Sequence, residues 1–265
     1  MSEQKGTQPA LLTIAGYDPT GGAGVLLDTA VFRRLGFPGL GLITAITVQD
    51  TVSVGSFRCV LAPSLLSQYR SLARDVRFGG IKVGMLGCAA QLSAAAKILR
   101  SNPGLPRVVD PVLRSSSGRR LLDKQGVRRL LSAFRGAVTI VTPNLDEACL
   151  LSGCQADSLE TMKEAAERIA EAVEAAVVIK GGHLPGRAIN VLFDGRRFHF
   201  YGRQRLRREV HGTGCYFSST ILARLAKGDT PAEAVQASTE ATHRAIRDAV
   251  SLGKGRLIIA PASLA

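Results

Sequence analysis

Residues 11–35 read LLTIAGYDPTGGAGVLLDTAVFRRL. Leu11 to Ala15 is a short apolar run closed by Gly16, the pattern of a buried strand. A polar, glycine-rich stretch follows, and Ala23 to Leu35 then reads as a helix. A strand that turns through glycines into a helix is the opening of a βα unit, and the rest of the chain repeats that alternation. Gly41 to Val48, Ile81 to Val83, Val108–Val109, Val138 to Val141 and Ala176 to Ile179 are further β-prone runs. Between them, Leu65, Tyr69, Leu72 and Val76 recur on one helical face, and Ala89 to Leu99 reads as a helix. Asp157-x-x-Glu160 has the form of a capping box ahead of an apolar stripe at Met162, Ala166, Ile169 and Val173. Ile189 to Phe193 and Arg197 to Tyr201 flank Asp194-Gly195, a hairpin signal. Thr230-Pro231-x-Glu233 opens a late helix. The alternation predicts an α/β fold with a mainly parallel sheet between two helical layers. Residues 1–10 read as a flexible tail and 11–265 as a single domain. In such sheets ligands bind at the carboxyl ends of strands, so strand-end polar and glycine residues are where chemistry is sought.

Composition narrows the classes. The chain has 265 residues, 46% hydrophobic and 21% charged, enough to bury a full core. No run approaches the ~18 apolar residues of a membrane span, and the first ten residues lack a signal peptide's apolar stretch. Cys59, Cys88, Cys149, Cys154 and Cys215 contain no C-x-x-C pair, which argues against a disulfide framework or structural zinc and for a reducing, cytoplasmic setting. The net charge is +13. That balance suits nucleic acid, but aromatics are only 5% with no Trp, so stacking platforms are scarce. A basic surface that attracts phosphorylated small molecules is the simpler expectation.

Three groups of residues carry candidate chemistry. Ala15-Gly16-Tyr17-Asp18-Pro19-Thr20-Gly21-Gly22-Ala23-Gly24, with Asp28 beyond it, follows a strand and enters a helix. It is neither a Walker A loop nor G-x-G-x-x-G, and by itself a tight turn explains it equally. His211-Gly212-Thr213-Gly214-Cys215 precedes an apolar helix, and amide hydrogens at such a start form an anion hole. A thiol there is expected to have a lowered pKa; the alternative is a buried structural cysteine, which the glycine context disfavours. The third group sits at strand ends: Asp110, Asn144 with Glu147, and Lys180 before Gly181-Gly182-His183. Carboxylates there suit a hydrated magnesium ion and the lysine a nucleotide phosphate. Alone, each also reads as a cap or a solvated helix residue.

Taken in order, TIAGYDPTGGAG with Asp28, ITAITVQDT, KVGML, VVDPV, TPNLDEA, VIKGGH and HGTGC resemble the ribokinase-like family, and within it the hydroxymethylpyrimidine and phosphomethylpyrimidine kinases of thiamine biosynthesis. The resemblance spans about Leu11 to Lys254. It implies a three-layer fold and an ATP- and Mg2+-dependent kinase acting on a hydroxymethyl pyrimidine, commonly as a homodimer, with pyridoxal kinase as the nearest rival. Gly16, Asp28, Gln49, Met85 and Val112 would hold the pyrimidine. Asn144 and Lys180 would meet ATP, and Asp110 and Glu147 the magnesium. Gly212, Thr213 and Gly214 would form the anion hole, with Cys215 as base or hydroxyl-orienting group where sugar kinases carry Asp. The chain departs from the family at Tyr17, at Leu26 (often Gln), at Asp50 (Asn), at Ser116 (Lys) and in its tail after Lys254-Gly255.

Overall fold

The computed structural model describes residues 8–182 and 187–260. In chain order the elements are β1 (Ala10–Tyr17), α1 (Gly24–Arg34), β2 (Gly39–Gln49), β3 (Val54–Cys59), α2 (Ala62–Ala73), β4 (Phe78–Val83) and α3 (Ala89–Arg100). Then follow β5 (Arg107–Val109), α4 (Lys124–Phe134), β6 (Ile140–Val141), α5 (Leu145–Ser152), α6 (Leu159–Val173) and β7 (Ala176–Ile179). The last are β8 (Arg187–Phe193), β9 (Phe198–Gln204), β10 (Val210–His211), α7 (Thr213–Ala226), α8 (Pro231–Arg247) and β11 (Leu257–Ile258).

A nine-stranded sheet runs in the order β3-β2-β1-β4-β5-β6-β7-β8-β9. Its middle, β2 through β7, is parallel, and antiparallel β3 and the β8–β9 hairpin close the two edges. The parallel sheet between helices agrees with the sequence expectation. The reason its strands show as apolar runs is visible in the packing. Neighbouring residues face opposite layers, and both are covered. Leu12, Val109, Val141 and Val177 join the core under α2–α6, while Leu11, Val108, Ile140 and Val178 join the one under α1, α7 and α8. Each such fully buried side chain contributes ~1.5–3 kcal/mol.

Local details differ. Ala10 already pairs in β1, so the strand begins inside the expected tail; residues 1–7 lie outside the described residues, as does His183. Helix α2 ends at Ala73, because the chain turns back through Asp75 and Val76 onto the Leu72 carbonyl. The α6 capping box is Ser158 with Thr161, one residue past the Asp157–Glu160 reading. Ser158 takes the cap because its hydroxyl accepts the Thr161 amide at 3.2 Å while Thr161 returns a bond to the Ser158 amide. Strand β3 and helices α4 and α5 were not expected.

Strand order reverses across β1: β2 lies to one side and β4 to the other. Such switch points open a crevice at the carboxyl ends. Gly16, Gln49, Met85, Asp110, Asn144 and Lys180 all stand at or just beyond those ends.

Candidate active site

Helix α7 joins the two sequence motifs. Its N-cap, Gly212, has φ +82°, a left-handed conformation that glycine adopts without strain. A side chain there would collide with the Gly22 carbonyl of the first loop. Gly24, at φ +61°, packs closely on the Gly16 carbonyl in the same way. A Cβ on Gly214 would stand 3.2 Å from Lys180 Nζ and 3.5 Å from an Asp110 oxygen. The 212–215 turn therefore touches the first loop on one side and the strand-end charges on the other.

The Cys215 thiol departs from the expected lowered pKa. Burial pushes it up to about 11, and nearby Lys82 offsets this only in part against Asp28 and Asp110. Desolvation of the thiolate outweighs the helix terminus here.

Asp28 also departs from expectation. It is fully buried and accepts from Lys82 Nζ at 2.6 Å, Thr13 Oγ1 at 2.6 Å and Ser219 Oγ at 2.8 Å. With both oxygens taken and no exposed surface, it lies beneath the site rather than lining it. Lys82 is equally buried. Burial alone would lower its pKa, but Asp28, Cys215 and Asp110 raise it further, so it stays an ammonium. This cation, unread in the sequence, lies under both motifs.

Lys180 and Asp110 form a 2.7 Å ion pair at the ends of β7 and β5. Asp110 also accepts from Thr142 Oγ1 at 3.2 Å and Ser218 Oγ at 3.3 Å. Burial would raise its pKa, yet Lys180 and Lys82 hold it below the usual carboxylate range. Glu147 is buried, not solvated. It receives the amides of Asn144 (2.9 Å) and Leu113 (3.4 Å), and burial together with Asp110's charge pushes its pKa up to about 7 despite Lys180. Asn144 caps α5 and accepts the Glu147 amide at 2.9 Å.

Among the described residues no group of three or more His, Cys, Asp or Glu is arranged to hold a metal. Two carboxylates fit magnesium nonetheless, since that ion keeps several waters and takes its remaining ligands from phosphates. Asp110 Oδ1 is taken by both Lys180 and Thr142, but Asp110 Oδ2 and each Glu147 oxygen have one protein donor and a second lone pair, which suits contact through water. The Glu147 pKa is raised first by burial and then by Asp110's charge, and a bound cation would offset both.

On the other side of the turn, Ala45, Met85 and Leu121 form a small separate apolar cluster, joined by Phe57 and Val112. Gly16 presses against it: a Cβ there would meet the Met85 sulfur at 2.9 Å. The expected Gly16, Met85 and Val112 thus come together as one wall, to which β3 adds Phe57. Gln49 lies beyond, its amide nitrogen 3.1 Å from His211 Nε2, and the same Nε2 is 2.8 Å from Asp18 Oδ2. The 114–120 segment, which carries Ser116, is tied to β3 by Arg119 Nε–H donating to Val54 O at 2.7 Å. After Lys254, the Arg256 amide donates to Thr51 O at 2.9 Å, and β11 pairs with His211's strand.

A phosphomethylpyrimidine kinase family model matches residues 18–260. The hydroxymethylpyrimidine/phosphomethylpyrimidine kinase of Aquifex aeolicus is 36% identical, covering 92% of this chain and 96% of that one. The thiamine biosynthesis bifunctional protein ThiED of Geobacter sulfurreducens is also 36% identical, over 93% of this chain and 51% of that one. Among solved structures, pyridoxal kinase from Staphylococcus aureus in complex with AMP-PCP superposes with a TM-score of 0.87 at 29% identity, covering 96% of this chain and 93% of that one.

Proposed function

This chain belongs to the phosphomethylpyrimidine kinase family, and on that footing we propose that it moves a phosphoryl group from ATP to the hydroxymethyl group of 4-amino-5-hydroxymethyl-2-methylpyrimidine, and to its monophosphate, in thiamine biosynthesis. The observation that carries the reading is the position of the 212–215 turn. It abuts the Lys180–Asp110 pair through Gly214 and the first loop through Gly212, which packs on the Gly22 carbonyl. One face can hold a nucleotide phosphate while the other holds an alcohol.

The pyrimidine ring rests on Met85 and Val112 beside Gly16, with Gln49 at its edge. Gln suits that place because its amide both donates and accepts. Asn144 and Lys180 meet the ATP phosphates; Asn144's carbonyl is committed to its cap, so its NH2 faces the phosphate. Asp110 and Glu147 would hold magnesium through water, and the ion would supply charge neutralisation on the phosphates. Amide hydrogens of Gly212, Thr213 and Gly214 stabilise the charge that grows on the migrating group. Phosphoryl transfer is largely dissociative, so the alcohol's proton leaves late and passes to an oxygen of the phosphoryl group it has joined, with no separate base needed. Cys215, a protonated thiol at neutral pH, orients the hydroxyl, and Lys82 beneath it balances the developing negative charge. Asp28 acts by fixing Lys82.

The likeness to pyridoxal kinase supplies the second reading, since that substrate also carries a hydroxymethyl group. ADP release with Mg-ATP, measured across the aminopyrimidine, its monophosphate and pyridoxal, separates the two. Higher kcat/KM for the pyrimidine supports the assignment, and a wide excess for pyridoxal reverses it. A homodimer accounts for the apolar strip left exposed at Ile46, Val48 and Val52, and sedimentation equilibrium tests it. Five free cysteines favour a reducing, cytoplasmic setting. No helix among the described residues is long and apolar enough to cross a membrane. The basic surface is read as drawing in ATP rather than nucleic acid.

A further inference from the structure

The Asp18–His211–Gln49 contact admits only one arrangement of hydrogens. Asp18 is 4% exposed, and its Oδ1 accepts the Thr20 amide and hydroxyl at 2.9 and 2.8 Å. Burial pushes its pKa up, but the His211 and Thr20 hydrogen bonds outweigh this and keep it ionised. An ionised carboxylate only accepts. His211 Nε2, 2.8 Å from Asp18 Oδ2, therefore carries a hydrogen. A ring N–H pointing there cannot also accept from an amide NH2 3.1 Å away. At the other end of the same amide, Thr47 Oγ1 lies 3.4 Å from the Gln49 oxygen. The single Thr47 hydrogen is already donated to Tyr17 O at 2.9 Å, so Thr47 can only accept from Gln49. Both conflicts vanish when the amide makes a half-turn that exchanges its oxygen and nitrogen. The Gln49 carbonyl then shares the one His211 Nε2–H with Asp18 Oδ2 in a three-centre bond, the shorter arm to Asp18, and its NH2 donates to Thr47.

The surroundings hold His211 in place. A Cβ on Gly22 would come within 2.8 Å of the His211 ring and 3.0 Å of Ile258, so only glycine leaves room for both. Ile258 is His211's partner in the β10–β11 pair. The tail that departs from the family pattern thus buttresses this ring.

We propose that Asp18 and His211 are positioning residues that fix the handedness of the Gln49 amide and so set substrate specificity. The inference rests on the reading that Gln49 meets the ring. The amide presents its carbonyl on the His211 side and an N–H on the Thr47 side. A ring with an exocyclic amine beside an acceptor nitrogen matches that order: the amine donates to the carbonyl and the ring nitrogen accepts the N–H. A pyridine whose nitrogen neighbours only a methyl carbon uses half of it.

The test compares Asp18→Asn, His211→Leu, His211→Gln and Gln49→Ala by KM and kcat for the aminopyrimidine and pyridoxine. In Asp18→Asn the new side-chain amide can donate to Nε2, which lets the imidazole change tautomer and the Gln49 amide turn over. About a tenfold rise in aminopyrimidine KM is expected for Asp18→Asn and His211→Leu, as for one lost hydrogen bond, with pyridoxine KM, ATP KM and kcat nearly unchanged. His211→Gln, which keeps an N–H at the Nε2 position, should restore most of the loss. If Gln49→Ala raises the aminopyrimidine KM while Asp18→Asn and His211→Leu leave it alone, or impair both substrates and kcat equally, the proposal is overturned. If Gln49→Ala itself changes nothing, the underlying reading of Gln49 fails, and the proposal with it.

Discussion

Lys82 and Asp28 stand 2.6 Å apart with neither side chain exposed, and Ser219 of α7 donates to the same Asp28 oxygen. The pair links β4 and α1 to the helix whose first turn forms the proposed anion hole. A desolvated pair of this kind holds geometry more than it adds stability.

Removing one partner strands the other charge in the core. Lys82→Met should therefore cost ~3–5 kcal/mol in urea unfolding. The double variant Lys82→Met/Asp28→Leu should recover much of that stability yet stay catalytically poor, because the cation under Cys215 is gone. Full recovery of kcat in the double variant would show that the pair is only structural.

Glu147 gives a stability signature against pH. Its pKa is about 7 in the folded chain against 4.5 for the free group, so folding favours its protonated form. Its relative contribution is fully present below pH ~4.5 and is lost as pH rises through ~7, a swing on the order of 3 kcal/mol. In metal-free buffer, wild type should lose stability relative to Glu147→Gln across that window. A difference that is flat with pH would refute the assignment of a raised pKa.

Cys215 is expected to act as a thiol. With its pKa near 11, kcat between about pH 6.5 and 9 should show no step belonging to Cys215. Cys215→Ala should lower kcat by about 100-fold, the scale for losing a group that orients the reacting hydroxyl, and raise the pyrimidine KM little. A wild-type step near pH 8 that disappears in Cys215→Ser would instead point to a thiolate base.

The sequence carried the sheet well because its central strands are covered on both faces, so Leu11–Leu12, Val108–Val109 and Val177–Val178 appear as unbroken apolar pairs. Strand β3 escaped because Gly55, Ser56, Arg58 and Cys59 are exposed, leaving Val54 and Phe57 too sparse to form a pattern. The glycine loops and strand-end charges showed as local motifs. The pairings did not: Lys82 meets Asp28 across 54 positions and His211 meets Asp18 across 193. A lysine inside KVGML reads as an edge residue until its buried partner is known. The Cys215 pKa went the other way from expectation because a helix start is visible in sequence, whereas the depth of its burial is not.

The proposed reaction puts phosphoryl transfer at Gly214, where a Cβ would reach within 3.2 Å of Lys180 Nζ while Lys180 is pinned by Asp110 at 2.7 Å. The direct measurement is the single-turnover rate of transfer from ATP to the aminopyrimidine in Gly214→Ala. The expected result is a rate lower by about 100-fold, the scale for a disturbed anion hole, with unfolding stability within about 1 kcal/mol of wild type. A Gly214→Ala enzyme that transfers phosphate at the wild-type rate would contradict it.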